Sequence, residues 1–246
     1  MQPCRLILSP PADGAMNMAL DEALLESAAS GSEDAGPVLR IYQWARPTLS
    51  LGYFQRAADR EHHQPSRQCE LIRRPSGGGA ILHDRELTYA LVLPEEVAKG
   101  EPARGFYEKV HNALIAALNG IGSLFSGGEL TSEGAPFLCF ERRSDGDVIL
   151  GENKIAGSAQ RRRRGAILQH GSVLLARSSF APELPGIGDL TGEDVTFENL
   201  AQRFAAEVAS TLGFTMNPET ITTAELEIAE QLRRTKYATE QWTLRR

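Results

Sequence analysis

The sequence predicts an α+β fold: one domain spanning residues 1–246, built on a large mixed β-sheet flanked by helices. Three observations lead there. With 246 residues, 41% of them hydrophobic, the chain has the composition of an ordinary globular domain. Its strand-like runs and helical periods follow one another irregularly, fitting neither a β-α-β succession nor an all-β pattern. No repeat and no linker-like stretch divides it.

Near the start, "RLILS" reads as a strand, and Asp13 or Gly14 then opens a helix through "MNMALDEALLESAA". Met16, Leu20, Leu24 and Ser27 fall at helical spacing there, which turns Asp21, Glu22 and Glu26 to solvent and makes the helix amphipathic. "SGSEDAGP" is a loop by composition. "VLRIYQW" and "TLSLGYF" are strand-like runs broken at "ARP" by a hairpin or tight corner. "CELIRR" is a further strand ending at Pro75, and after three glycines "AILH" and "ELTYALVLP" read as strands again. Phe106, Val110, Leu114, Ala117 and Ile121 mark a second helix, stopped by Asn119-Gly120. A polar, glycine-rich loop leads from it to "PFLCF". "DVILGENKIAGSAQ" carries a hairpin turn at "GENK", and "GAILQHGSVLLA" pairs with it beyond an arginine run. A third helix puts Leu200, Phe204, Val208 and Leu212 on one stripe and stops at Gly213. Thr222 and Glu225, in capping-box spacing, start a fourth.

Composition narrows the function. No apolar stretch approaches the roughly 20 residues of a membrane span, and the start lacks the apolar core of a secretory signal, so a cytoplasmic protein without a membrane partner is expected. Cys4, Cys69 and Cys139 form no metal-binding or disulfide pattern, so no metal site is expected. A net charge of −6 argues against a nucleic-acid partner. The exception is "RRRR" at 161–164, which reads either as a solvated hairpin tip or as a docking point for an acidic protein.

The chemistry concentrates at "RRPSGGGAILHD", residues 73–84. Consecutive glycines let a backbone approach a ligand and offer it bare N–H groups. The loop lacks both the GxxxxGK[ST] and the GxGxxG pattern, and it runs into a strand-like segment rather than a helix. A bare triplet can be a surface turn, but here Arg73, Arg74, Ser76, His83 and Asp84 crowd donors and titratable groups around it.

"RRPSGGGAILHDRELTYALV" and "KIAGSAQRRRRGAILQHGSVLL" resemble the two signatures of the lipoate-protein ligase and octanoyltransferase family, whose catalytic domain is shared with biotin-protein ligases. "MNMALDEALL", "LSLGYFQ" and "KYATEQW" extend the resemblance over nearly the whole chain. It implies a biotin/lipoyl-protein-ligase-like fold, and a tunnel for an eight-carbon acyl chain walled by Arg74, Ser76, Gly77, Gly78, Gly79 and His83. Ala156, Gly157, Ser158, His170 and Gly171 are implied opposite. His83 and His170, taken singly, also read as satisfied core histidines, and neither is assigned as a proton shuttle.

Within the family, ligases form an acyl-adenylate from ATP, whereas transferases pass the acyl group through a cysteine. Cys139, in "PFLCF" fifteen positions before Lys154, resembles the bacterial octanoyltransferase branch that carries "CF" ahead of Lys-x-x-Gly-Ser-Ala-Gln. Adenylating ligases typically have Asn-Asp in this neighbourhood. The resemblance implies Cys139 as nucleophile and Lys154 as the neighbouring cation that favours the thiolate. By residue type alone, Cys139 is a small buried hydrophobe and Lys154 a turn residue. Relatives usually carry Pro-Ser-x-Tyr-Glu after "CF", where this chain has "RRSDGD", which suggests a loop that docks a different donor or acceptor.

The expected reaction moves an octanoyl or lipoyl group from an acyl carrier protein thioester to a lysine of lipoyl-domain proteins, the glycine cleavage H protein and E2 subunits. It needs no cofactor. An ATP-dependent ligase, which would need ATP and Mg, an amidotransferase between lipoyl-domain proteins, and a non-catalytic acyl- or lipoate-binding protein are the alternatives. Ligases often add an accessory domain of roughly 100 residues, the size of a small domain. None is expected here after "KYATEQWTLRR".

Overall fold

The structure, a computed structural model, describes residues 1–31, 35–100, 102–127 and 136–246. The loops expected at 30–37 and after the second helix fall partly outside the described residues.

Among the described residues, eleven strands form two sheets. The larger takes β1 (Gln2–Leu8), β2 (Val38–Tyr42), β6 (Glu86–Leu93), β7 (Ser123–Leu124), β8 (Val148–Leu150), β9 (Asn153–Arg163), β10 (Ala166–Leu174) and β11 (Phe214–Pro218) in the order β11-β1-β2-β6-β10-β9-β8-β7. β1 runs parallel to β11 and β2, and the other pairs are antiparallel, so the sheet is mixed. The second sheet, β4-β3-β5, joins β3 (Thr48–Leu51), β4 (Glu70–Arg73) and β5 (Ile81–His83). The break at "ARP" is therefore a corner between sheets and not a hairpin, because β2 pairs with β6 while β3 pairs with β4 and β5.

The α-helices among the described residues are α1 (Gly14–Ala28), α2 (Glu95–Ala98), α3 (Ala103–Ala117), α4 (Ile187–Thr191), α5 (Phe197–Leu212), α6 (Thr223–Leu232) and α7 (Glu240–Thr243). Side chains alternate across β2. Leu39 and Ile41 join the core formed with α3 and α5, while Val38 and Tyr42 join the one formed with α1 and α6. A third cluster, with Leu49, Leu82, Leu138 and Phe140, fills the small sheet. Among the described residues no helix is long and apolar enough to cross a membrane.

Helix α1 departs from the amphipathic reading. Asp21 and Glu22 are both buried: Asp21 faces the large sheet, against β2 and β10, and Glu22 is covered by the π-helical turn Arg233–Tyr237 after α6. A buried carboxylate needs a partner. Asp21 has Arg40 at 2.8 Å and the Tyr42 hydroxyl at 2.9 Å, and Glu22 has Lys236 at 2.5 Å and Tyr237. The arginine run is also mostly strand: Arg161 to Arg163 lie in β9, and only Arg164 and Gly165, both with positive φ, make the turn. Arg161 donates to the Pro75 carbonyl and Arg163 pairs with Glu26 at 2.9 Å, while Arg162 and Arg164 are exposed.

Candidate active site

Strand β4 delivers two consecutive arginines into the base of the glycine loop. Arg73 turns away from the cavity and donates to the carbonyls of Gly52 and Gln55 at 2.8 and 2.7 Å, and to Thr243 at 3.0 Å. Arg74 turns inward. It donates to the carbonyls of Ser50, Gly77 and Gly79 at 2.9, 2.7 and 2.6 Å, which fixes the loop's carbonyls on one side. Gly78 sits at φ +90, a conformation that favours glycine, and among the described residues no hydrogen bond uses the N–H groups of Gly77, Gly78 or Gly79.

Cys139 is strapped to this loop: its N–H donates to the Ala80 carbonyl at 2.7 Å, and Ala80 N–H donates to the Phe137 carbonyl at 3.0 Å. The hairpin turn at Gly151 and Glu152 then brings Lys154, at the start of β9, opposite, with Nζ 3.8 Å from Cys139 Sγ. The glycine of Lys-x-x-Gly has a steric task. A Cβ on Gly157 would stand 2.5 Å from Lys154 Cε, so its absence lets the lysine fold back over the strand toward the sulfur.

Lys154 has a second partner, Asp147, whose Oδ2 lies 2.7 Å from Nζ; both side chains are buried. Asp147 also accepts from the Tyr107 hydroxyl at 2.8 Å and the Ser144 N–H at 2.8 Å. Burial and the neighbouring Asp147 carboxylate hold the Tyr107 hydroxyl far above its ordinary range. The loop "RRSDGD" thus supplies the carboxylate that seats the lysine. Behind it, His111 hydrogen-bonds with the Gly146 carbonyl at 2.6 Å and with the Ser158 hydroxyl, and burial pushes it down to about 4, so it is neutral near pH 7.

These groups border a cavity of about 340 Å³, closed by Met18, Tyr42, Trp44, Ile81 and Phe140, an apolar lining for an acyl chain. Of the residues expected at the tunnel, Arg74, Gly77, Gly78, His83, Gly157, Ser158, His170 and Gly171 line it together with Cys139 and Lys154. Three expected residues do not. Ser76 lies behind it, hydrogen-bonded with His170 Nε2; Gly79 packs beneath the Cys139 backbone; and Ala156 belongs to the core under α3 and α5.

Both cavity histidines are held from behind. His83 hydrogen-bonds with Ser50 at 2.7 Å and Glu86 at 2.6 Å and stacks on Trp44, and His170 bridges Ser76 and Asp21. Sequence reasoning missed Asp147, Tyr107 and His111. Only Asp147 left a signal, since the "GENK" hairpin folds "DVIL" onto "NKIA" and carries the aspartate across to Lys154.

A family model described as the lipoyl protein ligase A/B catalytic domain matches residues 13–181. Over the whole of both chains the sequence is 33% identical to octanoyltransferase LipM of Brevibacillus brevis and 34% identical to octanoyltransferase LipM of Kyrpidia tusciae. The fold is similar to that of a lipoate-protein ligase A solved with bound ATP, with a TM-score of 0.80 and 27% identity over 99% of each chain.

Proposed function

The chain belongs to the lipoyl protein ligase A/B catalytic domain family, and on that premise we propose that it is an octanoyltransferase of protein lipoylation. In this reading it takes the acyl group from an acyl carrier protein thioester onto Cys139 and passes it to a lysine of lipoyl-domain proteins. The observation that carries the reading is the placement of Cys139 Sγ 3.8 Å from Lys154 Nζ, on the wall of an apolar cavity and beside the unused N–H groups of the glycine loop.

The Cys139 thiolate attacks the carbonyl carbon of the octanoyl thioester, and the carbonyl electron pair moves onto oxygen. The free N–H groups at Gly77 and Gly78, which line the cavity, are the donors available to that oxyanion. Collapse breaks the bond to the carrier sulfur, which leaves as a thiolate. The neutral amine of the acceptor lysine then attacks the Cys139 thioester, and Cys139 departs as the thiolate it began as. The amine gives up one proton in becoming an amide, the carrier thiolate takes one up, and Lys154, seated by Asp147, is placed to carry it. A thioester already holds the acyl group in activated form, so exchange to an amide needs no ATP.

Purified protein incubated with octanoyl-acyl carrier protein and a lipoyl domain should form octanoylated domain without ATP, and Cys139→Ala should lower the rate at least about 1,000-fold. Transfer that requires free octanoate with ATP, or that survives in Cys139→Ala, would establish the ligase chemistry instead.

A further inference from the structure

Two cations approach Cys139, and they differ in what else they touch. Lys154 Nζ is 3.8 Å from the sulfur but only 2.7 Å from Asp147 Oδ2. Seen from Cys139, that contact is a buried pair of opposite charges, and the carboxylate offsets part of the ammonium's field. Arg74 is different. Its side chain is buried, and among the described residues no carboxylate lies within ion-pair distance of it; it donates only to carbonyls and to the Ser50 hydroxyl. An uncompensated buried guanidinium is costly, and an anion that forms beside it feels its field with little screening.

That anion has a position. The point where a Cβ on Gly78 would stand is 3.0 Å from Arg74 Nη2 and 3.8 Å from Cys139 Sγ, so the two atoms lie within about 7 Å of each other across a residue without a side chain. Burial pushes the Arg74 guanidinium down to about 10, which leaves it charged near pH 7, and the charge of Cys139 pulls the other way. Among the described residues, the other charged or titratable groups around Cys139 are the Lys154–Asp147 pair, Tyr107 behind Asp147, Tyr42, His83 and His170 on the cavity wall, and Glu141 and Arg142 just after it in the chain.

We infer that Arg74 is the net charge that holds Cys139 as a thiolate, and that Lys154 with Asp147 acts as a neutral pair that hydrogen-bonds the sulfur and carries protons. The inference rests on the proposed use of Cys139 as nucleophile. It gives Arg74 a part in both half-reactions. Acylation removes the sulfur's negative charge and leaves the guanidinium without a counter-charge; each oxyanion intermediate, and then the departing thiolate, restores one. This electrostatic work is separate from Arg74's hydrogen bonds to the loop, which a merely structural arginine would also make.

The test is the pH profile of iodoacetamide alkylation at Cys139, read by peptide mass spectrometry. Arg74→Met should raise the midpoint by about one pH unit, the size expected for losing one cation at this distance from a buried sulfur. Arg74→Lys, which keeps the charge without the fork, should stay near wild type. Removing the pair together, Lys154→Met with Asp147→Asn, should leave the midpoint nearly in place, whereas Asp147→Asn alone should lower it by unmasking Lys154. An unmoved midpoint in Arg74→Met, or a pair deletion that shifts it as far, overturns the assignment. Should Arg74→Met fail to fold, a midpoint raised by the pair deletion or unmoved by Asp147→Asn does the same. Alkylation reads the thiol and not acyl transfer, so a failure of the transferase reading would appear separately, as an absent acyl adduct.

Discussion

Burial separates the three cysteines. Cys4 is 1% exposed and desolvation pushes its thiol up to about 12; Cys69 is also raised by burial; Cys139 is half-buried and opens onto the cavity. His111 makes a residue-scale prediction. Burial, only partly offset by its hydrogen bond to the Gly146 carbonyl, moves it from an ordinary 6.5 to about 4. Between those values the unfolded chain binds a proton that the folded one does not, so stability falls as pH falls through that window. The contribution is up to about 3 kcal/mol, present above pH 6.5 and lost by pH 4. Denaturant unfolding at a series of pH values should show this slope in wild type and a flatter one in His111→Gln; equal slopes would show that His111 titrates normally. Cys139 and Lys154 were legible because they sit in ordered signatures. Asp147 left only the indirect signal of the hairpin that carries it to Lys154, and Tyr107 and His111 left none, because each acts through a contact between elements far apart in sequence, as in the Tyr107–Asp147 hydrogen bond between α3 and the loop before β8.

At the scale of elements, the hairpins and caps were written locally and so could be read. Gly151 turns β8 into β9 with positive φ, Gly213 stops α5 in the left-handed region, and Thr222 and Glu225 close a capping box on α6. Helix α1 is less amphipathic than its periodicity suggests because Asp21 is buried by partners on β2 and β10 and Glu22 by the turn after α6, some two hundred residues away, which no local pattern reports. The start of β9 yields a prediction. The atoms nearest to an Ala Cβ at Gly157 would be the end of the Lys154 side chain and Asp147 Oδ1, none of them backbone, so the lysine should swing away without disrupting the sheet. Gly157→Ala is therefore expected to lower the transfer rate about 100-fold, the effect of roughly an ångström of misplacement, while the unfolding temperature stays within a few degrees of wild type. A cooperative loss of stability equal to the loss of rate would make Gly157 a packing residue instead.

Across the whole molecule, the cavity lies where the two sheets meet. Its glycine loop follows β4 and its Ile81 and His83 lie on β5, both in the small sheet, while β9 and β10 of the large sheet supply Lys154, Ser158 and His170. The sequence pointed to one large mixed sheet but not to the second small one, because β3 and β4 look alike to a local reading whichever sheet takes them. Charge is also distributed at this scale. On a chain of net charge −6, the arginine run divides between structural contacts at Arg161 and Arg163 and exposed side chains at Arg162 and Arg164. Everything proposed for these parts depends on one covalent event at their junction, and intact-mass spectrometry reads it directly. Wild-type protein mixed with octanoyl-acyl carrier protein in the absence of ATP and acceptor should gain one octanoyl group, mapped to Cys139 and released by hydroxylamine. No added mass, or a hydroxylamine-labile adduct that persists in Cys139→Ala, would contradict the account.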